Sequence, residues 1–550
     1  MARYKPQPID GEFDLLIVGA GITGAGAARD AARRGLRVVV VDQDDVASGT
    51  SSRSSKLVHG GLRYLEQGEV SLVFEAVAER RVLQQIAPHL VSPLPFLLPV
   101  YKNSRRGMFT INVGMWLYDG LSLFRSPKIH ESLSRKEVMK AEPSLRSEGL
   151  RGAPVYYDCA TDDARLTLET LLDAVKAGAV VRTHTRVTRL ERESGLVSGA
   201  VVVDGLTGKE HTIRARVVLN ATGPWSDRTC SLTGDMSAPR LRPTKGIHLV
   251  VDSARLQVNH AIVGMHPKDG RVFFTVPWGE QTYIGTTDTD FDGDPSKVYA
   301  DSNDVDYVLE AANEHFPDTN LNRDDVISTW AGVRPLVSEE AAENESSVSR
   351  EHVIRVGADG LVTIAGGKLT TYRRMGAEVI DRVVDVLRGT GYPLSGLRAS
   401  ETDTNPLPGA VGWPEDEDDA VLAKRVLAAA DGHIEGGTAG LLAATYGMRG
   451  LDIAAGVKAD PSLAKPLVEG RPEIAAQVVW GVERELAVTV SDIMIRRTQL
   501  YYRDPRQGLD AVEAVVDLMR PRLGWNKKDA DRSADAYRYE VERSSSWRVE

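Results

Sequence analysis

Three closely spaced glycines give the sequence its first chemical signal. Gly19, Gly21 and Gly24 lie where a short apolar strand ends and an alanine-rich helix begins. The first glycine permits a tight turn, the second lets the backbone approach a pyrophosphate, and the third lets the helix pack on the strand. Asp42 ends the next valine-rich strand, 18 residues after Gly24, where a ribose hydroxyl needs an acceptor. The pattern predicts a site for an adenine dinucleotide, either NAD or FAD.

Later segments favour FAD. Gly366 and Gly367 end a strand before a further helix, which repeats the pattern of the first unit. A cofactor that lies extended through the protein needs contacts from such distant segments. Between them, residues 51–64 are rich in serine and glycine, the residue types that can line a flavin closely. Within this segment Arg63 is a candidate anchor for an anionic substrate. Much later in the chain, Arg334 stands beside a proline that stiffens its local backbone.

The elements that must position these residues form a strand–helix–strand unit, a β-rich middle and a helical end. The unit has the length and pattern of a parallel βαβ motif. We therefore expect an α/β fold, α+β overall, with a Rossmann-like FAD-binding domain interrupted by an inserted β-rich substrate domain. The expected segments are 1–93 for the first part of the FAD-binding domain, 94–351 for mixed FAD-binding segments and the insert, 352–399 for its return, and 400–550 for a C-terminal helical domain.

Bulk properties narrow the function. The chain has 550 residues, a net charge of −10 and a pI of about 5.7. An acidic chain lacks the field that attracts nucleic acids, so we expect no nucleic-acid partner. The only cysteines, Cys159 and Cys230, make no disulfide framework and favour a reducing compartment. The N-terminus has no signal-peptide pattern, and no stretch reaches the ~20 apolar residues of a membrane span.

The segment 105–118 allows two interpretations. Two arginines precede aromatic and aliphatic residues with few charges, a composition that suits a surface dipping into lipid headgroups. A buried hairpin or helix explains the same composition.

Taken together, the motifs resemble the FAD-dependent, aerobic and quinone-linked glycerol-3-phosphate dehydrogenases. The stretches SSKLVHGGLRYLE and GGKLTTY are the most specific, because no general flavoprotein fold requires them. The matching segments, in the family's order, are 19–24, 50–66, 157–165, 220–225, 245–251, 276–288, 331–336 and 366–372.

The resemblance implies an activity and a setting. It implies oxidation of sn-glycerol 3-phosphate to dihydroxyacetone phosphate by hydride transfer to N5 of FAD, with electrons passed to a membrane quinone. The fold would be that of the glutathione-reductase and D-amino-acid-oxidase type. The protein would be cytoplasmic, peripheral on the inner face of the cell membrane, and a homodimer is a further expectation.

The resemblance also assigns site residues, and no metal is expected. Arginine forks match phosphate oxygens, and a neutral histidine is the usual proton acceptor near pH 7. The predicted catalytic residues are His248, Arg334, Lys368 and Arg63. The predicted substrate contacts are Arg63, Tyr64, His248, Arg334, Lys368 and Thr371. The predicted FAD contacts are Gly19, Gly21, Ile22, Thr23, Gly24, Asp42, Gln43, Thr50, Ser51, Ser52, Ser55, Lys56, Leu57, His59, Gly60, Gly61, Val187, Ala221, Thr222, Gly223, Trp225, Gly332, Arg334, Gly367, Lys368, Leu369 and Thr370.

Other functions remain open at this point. A glycerol-3-phosphate oxidase, which uses O₂ and makes peroxide, shares all these motifs. An amine-oxidising flavoenzyme would also need an arginine, but it does not explain the two most specific stretches. A flavin-binding regulator would keep the glycines without needing the basic residues Arg63, Arg334 and Lys368.

Overall fold

The fold combines two sheets with a helical C-terminal region. The computed structural model describes residues 8–9, 11–61, 69–104, 106–121, 128–233, 241–337, 352–414 and 419–549. Its strands are β1 Glu12–Val18, β2 Val38–Val41, β3 Leu57–Val58, β4 Val91–Leu97, β5 Val100–Tyr101, β6 Glu131–Ser134, β7 Leu150–Thr161, β8 Val180–Arg182, β9 Thr185–Glu193, β10 Leu196–Asp204, β11 Glu210–Asn220, β12 Leu241–Asp252, β13 Ala261–Met265, β14 Val272–Trp278, β15 Gln281–Gly285, β16 Thr289–Asp290, β17 Val326–Val337, β18 His352–Val356 and β19 Val362–Gly366.

The helices alternate with strands early in the chain and follow one another at its end. They are α1 Ile22–Arg34, α2 Val70–Ile86, α3 Met108–Leu121, α4 Arg135–Ala141, α5 Asp163–Lys176, α6 Ser226–Ser231, α7 Ser302–His315, α8 Tyr372–Gly389, α9 Asp419–Ala429, α10 Gly436–Tyr446, α11 Gly450–Ala459, α12 Ala475–Arg484, α13 Leu500–Arg503, α14 Val512–Leu523 and α15 Lys527–Ser544. A π-helical turn, Asp492–Arg497, precedes α13.

The first sheet is the nucleotide-binding scaffold. Its strands follow the order β18-β19-β11-β1-β2-β8, and β1 lies parallel to both β11 and β2. Helices α1, α5 and α8 pack on this sheet, with Leu15 and Val217 in their shared core. Helices α1 and α8 meet at two glycines, because a Cβ on Gly376 would lie 2.7 Å from the backbone of Gly26.

The second sheet is the β-rich insert predicted from the sequence. Its order is β16-β12-β15-β14-β13-β4-β7-β3, and β17 pairs with β12. Antiparallel pairing sets His248 of β12 opposite Gly285 of β15 and Trp330 of β17. The same register sets Gly246 opposite Gly332. Strands that are distant in sequence are thereby brought to one place on the sheet.

The C-terminal helices have a core of their own and also cover the second sheet. Leu422, Tyr446 and Ile453 pack within the helical region. Tyr502 and Tyr537 belong to the core that contains Tyr283 and Trp330 of the sheet. The predicted α/β class, its β-rich insert and its helical end are confirmed. The four predicted segment boundaries stay a prediction, and the acidic residues 415–418 lie outside the described residues.

The apolar segment that allowed two interpretations is helix α3, and it is only partly buried. Met115 and Tyr118 are buried, whereas Phe109 is 82% exposed and Trp116 is 58% exposed. Across the ranges that the structure describes, no helix is both long and apolar enough to cross a membrane.

Candidate active site

The glycine turn between β1 and α1 has no room for side chains. A Cβ on Gly19 would lie 2.5 Å from the carbonyl oxygen of Ala221, and one on Gly24 would lie 1.9 Å from that of Gly19. Gly21 begins α1, and the hydroxyl of Ser51 accepts a hydrogen bond from the amide of Ile22 at 2.9 Å. The turn therefore presents bare backbone and a helix N-terminus, the arrangement that binds a pyrophosphate.

Asp42 lies at the end of β2, beside this turn. Its carboxylate accepts hydrogen bonds from the amides of Ala20 at 2.6 Å and Asp44 at 3.0 Å. Burial raises the pKa of Asp42 to about 7 against the effect of these bonds. Since a carboxylate has about four acceptor positions, Asp42 can still accept from a ribose hydroxyl, which would stabilise its charged form.

These residues line a cleft of about 1350 Å³ of empty space, counting its open mouth. The glycine turn forms one wall, and segments from residues 185–187, 221–225 and 364–369 form the others. A cleft of this size, lined by bare backbone, a helix N-terminus and a ribose acceptor, fits an adenine dinucleotide. The predicted FAD contacts that line this nucleotide cleft are Gly19, Gly21, Ile22, Thr23, Asp42, Gln43, Thr50, Ser51, Val187, Ala221, Thr222, Gly223, Trp225, Gly367, Lys368 and Leu369.

A second cavity of about 1050 Å³, counting its mouth, adjoins the nucleotide cleft. Thr50, Ser54, Pro335 and the segment 366–369 line both spaces. The predicted residues that line this second cavity are Thr50, Ser55, Leu57, His59, His248, Gly332, Arg334, Gly367, Lys368, Leu369 and Thr370. Three of the four predicted catalytic residues are thus brought together, from β12, β17 and the turn after β19.

His248 is a buried and neutral imidazole. Its Nε2 lies 3.0 Å from the hydroxyl of Ser55, and its ring stacks on Trp330 with 4.7 Å between centroids. Burial lowers the pKa of His248 well below its usual range, and the positive charges of Arg334 and Lys56 add to this effect. Gly285 makes room for the ring, because a Cβ there would lie 2.4 Å from its Cδ2 atom. The histidine is therefore a deprotonated base at neutral pH.

Arg334 is held in place by residues of the turn that follows β15. Its guanidinium donates to the carboxylate of Asp288 and to the hydroxyl of Thr286, each at 2.8 Å. Gly246 lies against the same group, because a Cβ there would lie 2.4 Å from Nη2 of Arg334. With a quarter of its side chain exposed, Arg334 is an oriented cation at the cavity wall.

Several predicted residues lie beside the two spaces without lining them. Gly24 and Ser52 are buried behind the turn, Gly60 donates to Asp158 at 3.1 Å, and Thr371 is buried at the start of α8. The side chain of Lys56 lines neither space, and its ammonium group donates to the carboxylate of Asp163 at 2.6 Å. Gly61 is buried next to Gly60. Arg63 and Tyr64 lie outside the described residues, and all contacts with a cofactor or substrate stay predictions.

Sequence analysis missed other residues of these walls. Arg53 lines the second cavity, and its guanidinium donates to the carbonyl of Ala331 at 3.4 Å. Ser54 lines both spaces, and Arg186 lines the nucleotide cleft. Arg53 and Ser54 stand inside the matched segment 50–66, which could have drawn attention to them. Arg186 is the second residue of β9, and nothing in the sequence around it indicates a binding role.

Comparison with known families defines the class of protein. Residues 14–373 match the family described as FAD dependent oxidoreductase, and residues 400–530 match the C-terminal domain of alpha-glycerophosphate oxidase. Since the first match spans more than half of the chain and the cleft fits the cofactor, the protein is an FAD-dependent oxidoreductase.

Individual relatives narrow this class. The aerobic glycerol-3-phosphate dehydrogenase of Staphylococcus aureus (strain USA300) is 37% identical over 539 residues, covering 97% of this chain and 94% of that protein. That of Staphylococcus haemolyticus is 37% identical over 519 residues, covering 94% and 92%. The structure of a glycerol-3-phosphate dehydrogenase from Bacillus halodurans complexed with FAD matches with a TM-score of 0.79 and 33% identity, covering 97% of this chain and 95% of that one. The chain belongs to the aerobic glycerol-3-phosphate dehydrogenase family, and the resemblance drawn from its motifs is confirmed.

Proposed function

We propose that this protein oxidises sn-glycerol 3-phosphate to dihydroxyacetone phosphate and passes the electrons to a membrane quinone. The proposal rests on one observation, which is that the second cavity adjoins the nucleotide cleft. The second cavity, with a neutral His248 and an oriented Arg334, opens directly beside the nucleotide cleft. A small phosphorylated alcohol in the second cavity would therefore lie next to the part of the cofactor that reaches Lys368.

Arg334 and Lys368 would hold the phosphate group. Charge-assisted hydrogen bonds from a guanidinium to phosphate are strong and directional. Asp288 and Thr286 already fix the guanidinium, so little side-chain freedom is lost when the substrate binds. Arg63 belongs to the same proposed set on the basis of its motif.

His248 would take the hydroxyl proton. FAD, when bound, supplies the acceptor for the hydride that leaves C2 of the substrate. The hydroxyl proton can reach Nε2 of His248 directly or through the hydroxyl of Ser55, which lines the second cavity. The stack on Trp330 and the close fit against Gly285 keep the imidazole in one orientation. General-base assistance of this kind contributes about 10²–10⁴-fold to rate.

The exposed face of α3 supports a membrane acceptor. Phe109, Val113, Trp116 and Leu117 recur at helical spacing, and each is more than half exposed. No charged residue occurs in α3 before Asp119, and Arg106 precedes the helix. An apolar helical face beside basic residues is typical of a helix that lies in the lipid interface. We place the protein on the inner face of the cell membrane, where quinone is available.

The electron acceptor is tested with the purified holoenzyme and sn-glycerol 3-phosphate in air. We expect quinone-dependent formation of dihydroxyacetone phosphate and little hydrogen peroxide. One peroxide formed for each substrate consumed, with no gain from added quinone, would contradict the quinone assignment and identify an oxidase, while the substrate assignment would stand.

A further inference from the structure

A third cavity lies behind the second one, between the second sheet and the C-terminal helices. It has about 1150 Å³ of empty space, counting its mouth, and its walls include Thr161, Trp278, Gln499 and Arg503. Lys56 and Tyr283 line this third cavity, whereas the adjacent Ser55 lines the second one and accepts a hydrogen bond from Tyr283. Neither the proposed substrate nor the cofactor uses this space. Ligand sites occur preferentially in such spaces between domains.

Of the lysine and arginine side chains that face this cavity, two are paired with carboxylates within the described ranges and one is not. Lys56 and Arg497 both face the cavity, but Lys56 donates to Asp163 at 2.6 Å and Arg497 to Asp45 at 2.7 Å. Arg503 also faces the cavity, and it makes no ion pair with any carboxylate of the described residues. Its neighbours are neutral acceptors: the carbonyl of Trp278 and the side-chain oxygen of Gln499, each at 3.4 Å.

The position of Arg503 is energetically unfavourable for a positive charge. Its guanidinium lies 3.8 Å from the centroid of the Trp278 ring. Burial lowers the pKa of Arg503 to about 10, and the charge of Arg471 adds to this effect. The carboxylates of Glu473, Asp162 and Glu280 act in the opposite direction without forming an ion pair with the guanidinium, whereas directly bonded carboxylates raise the pKa of the buried Arg165 and Arg496. Arg503 is partly buried and no carboxylate of the described residues contacts its guanidinium, so a bound oxyanion would supply the direct charge-assisted bond that it lacks.

The remaining polar groups suit hydroxyls of a ligand. The hydroxyl of Thr161 is buried and has no hydrogen-bond partner among the described residues. Asp162 is the acidic residue of the cavity wall. The amide of Gln499 donates to it at 2.6 Å, and burial raises its pKa, so its charge opposes an anion less than an ordinary carboxylate would.

We propose that this third cavity binds a small hydroxylated anion with a phosphate or carboxylate head group, and that Arg503 is its anchor. The anion replaces the missing counterion of Arg503, and Thr161 and Asp162 bond its hydroxyl groups. The bound anion lies near His248, because Tyr283 lines this cavity and its ring centroid is 6.0 Å from that of the imidazole.

Isothermal titration of the holoenzyme tests the site, with glycerol 2-phosphate and glycerate as the two probes. The variants are Arg503→Gln and, as the matched control, Arg506→Gln, an arginine three residues along with 68% of its side chain exposed. Each is made alone and with Arg334→Gln, which weakens anion binding in the second cavity. We expect Arg503→Gln to weaken one binding event about 10- to 150-fold in both backgrounds, and Arg506→Gln to leave it unchanged. The probe that binds more tightly identifies the head group.

Unchanged binding of both probes in Arg503→Gln would overturn the proposal, as would absence of any binding in Arg334→Gln alone. If Arg503→Gln fails to retain FAD, Ala444→Phe decides. Ala444 is exposed at the cavity mouth, so its replacement narrows the entrance without disturbing the core. Binding that survives Ala444→Phe at full strength would contradict the site.

Discussion

The Nε2 atom of His248 lies 3.0 Å from the hydroxyl of Ser55, and both residues line the second cavity. The other ring nitrogen, Nδ1, is buried and has no hydrogen-bond partner among the described residues. No carboxylate contact within those residues stabilises a second proton on the ring, so the imidazole rests in its neutral form, with one nitrogen able to accept a proton. This relationship underlies the first two predictions.

Replacing His248 should slow the chemical step and leave the cofactor in place. We expect His248→Ala to reduce its flavin about 10²–10⁴-fold more slowly than the unaltered enzyme on anaerobic mixing with sn-glycerol 3-phosphate. His248→Asn keeps a hydrogen bond but cannot take a proton, so it should be slow as well. A fast His248→Asn enzyme would show that the histidine only positions the substrate.

The pH dependence follows from the lowered pKa of His248. The neutral ring is the active form, and it persists above the pKa, so the histidine-dependent rate should be constant from about pH 8 down through 6.5, the ordinary value. It should fall only below that value. The substrate phosphate also ionises near pH 6, so the comparison with His248→Ala is essential, because both enzymes share that effect. An inflection above pH 6.5 that the variant lacks would contradict the assignment.

Gly246 should control the position of Arg334. A methyl group on Gly246 would overlap the guanidinium, so we expect Gly246→Ala to raise KM for sn-glycerol 3-phosphate while FAD content stays unchanged. Arg334→Gln should lower kcat/KM about 10- to 150-fold, since a charged hydrogen bond is worth about 1.5–3 kcal/mol. Adding Gly246→Ala to Arg334→Gln should cause little further loss. If the double variant instead shows the full product of the two single losses in kcat/KM, Gly246 does not act through Arg334.

The C-terminal region should contribute to FAD retention through Asp45. The guanidinium of Arg497 bonds both carboxylate oxygens of Asp45, at 2.7 and 2.9 Å. Two residues along, the amide of Ala47 donates to the carbonyl of Ala20 in the glycine turn. Breaking a buried ion pair costs about 3–5 kcal/mol when it leaves a charge unpaired, and the cost is smaller here because Arg496 also donates to Asp45 at 2.5 Å. We expect Arg497→Gln to weaken FAD binding at least tenfold in a fluorescence titration, with Arg506→Gln as the control. If Arg497→Gln binds FAD as tightly as the unaltered protein, this ion pair does not contribute to the cofactor site.

The exposed face of α3 should mediate membrane binding. We expect Phe109→Ser with Trp116→Ser to reduce co-sedimentation with anionic vesicles and to slow reduction of quinone held in them. Activity with a water-soluble electron acceptor should not change. Tyr539→Ser is the matched control, since Tyr539 is 60% exposed on α15. Full vesicle binding by the double variant would assign the membrane contact to another surface.

The sequence predicted the local parts of the site better than the distant ones. Gly19, Gly24 and Asp42 act within one strand–helix–strand unit, so their spacing alone specified the turn. The contact between Gly246 and Arg334 depends on the register of β12 and β17, which lie far apart in sequence. Strand register is set by the whole sheet, so no local pattern reveals it.

Lys56 shows a second limit of sequence reasoning. It lies within a specific motif beside Ser55, and nothing local tells where its side chain points. The structure places its backbone in the left-handed region, with φ of 52°, and its ammonium on Asp163. The direction of that side chain depends on a carboxylate 107 residues away.

Anaerobic mixing of the FAD-loaded enzyme with sn-glycerol 3-phosphate tests whether this chain oxidises that substrate. We expect the visible absorbance of the oxidised flavin to bleach and one dihydroxyacetone phosphate to form for each flavin reduced. Plain glycerol, which lacks the phosphate that Arg334 would bind, should bleach it far more slowly. A flavin that stays oxidised with sn-glycerol 3-phosphate, or that bleaches equally fast with glycerol, would contradict the account.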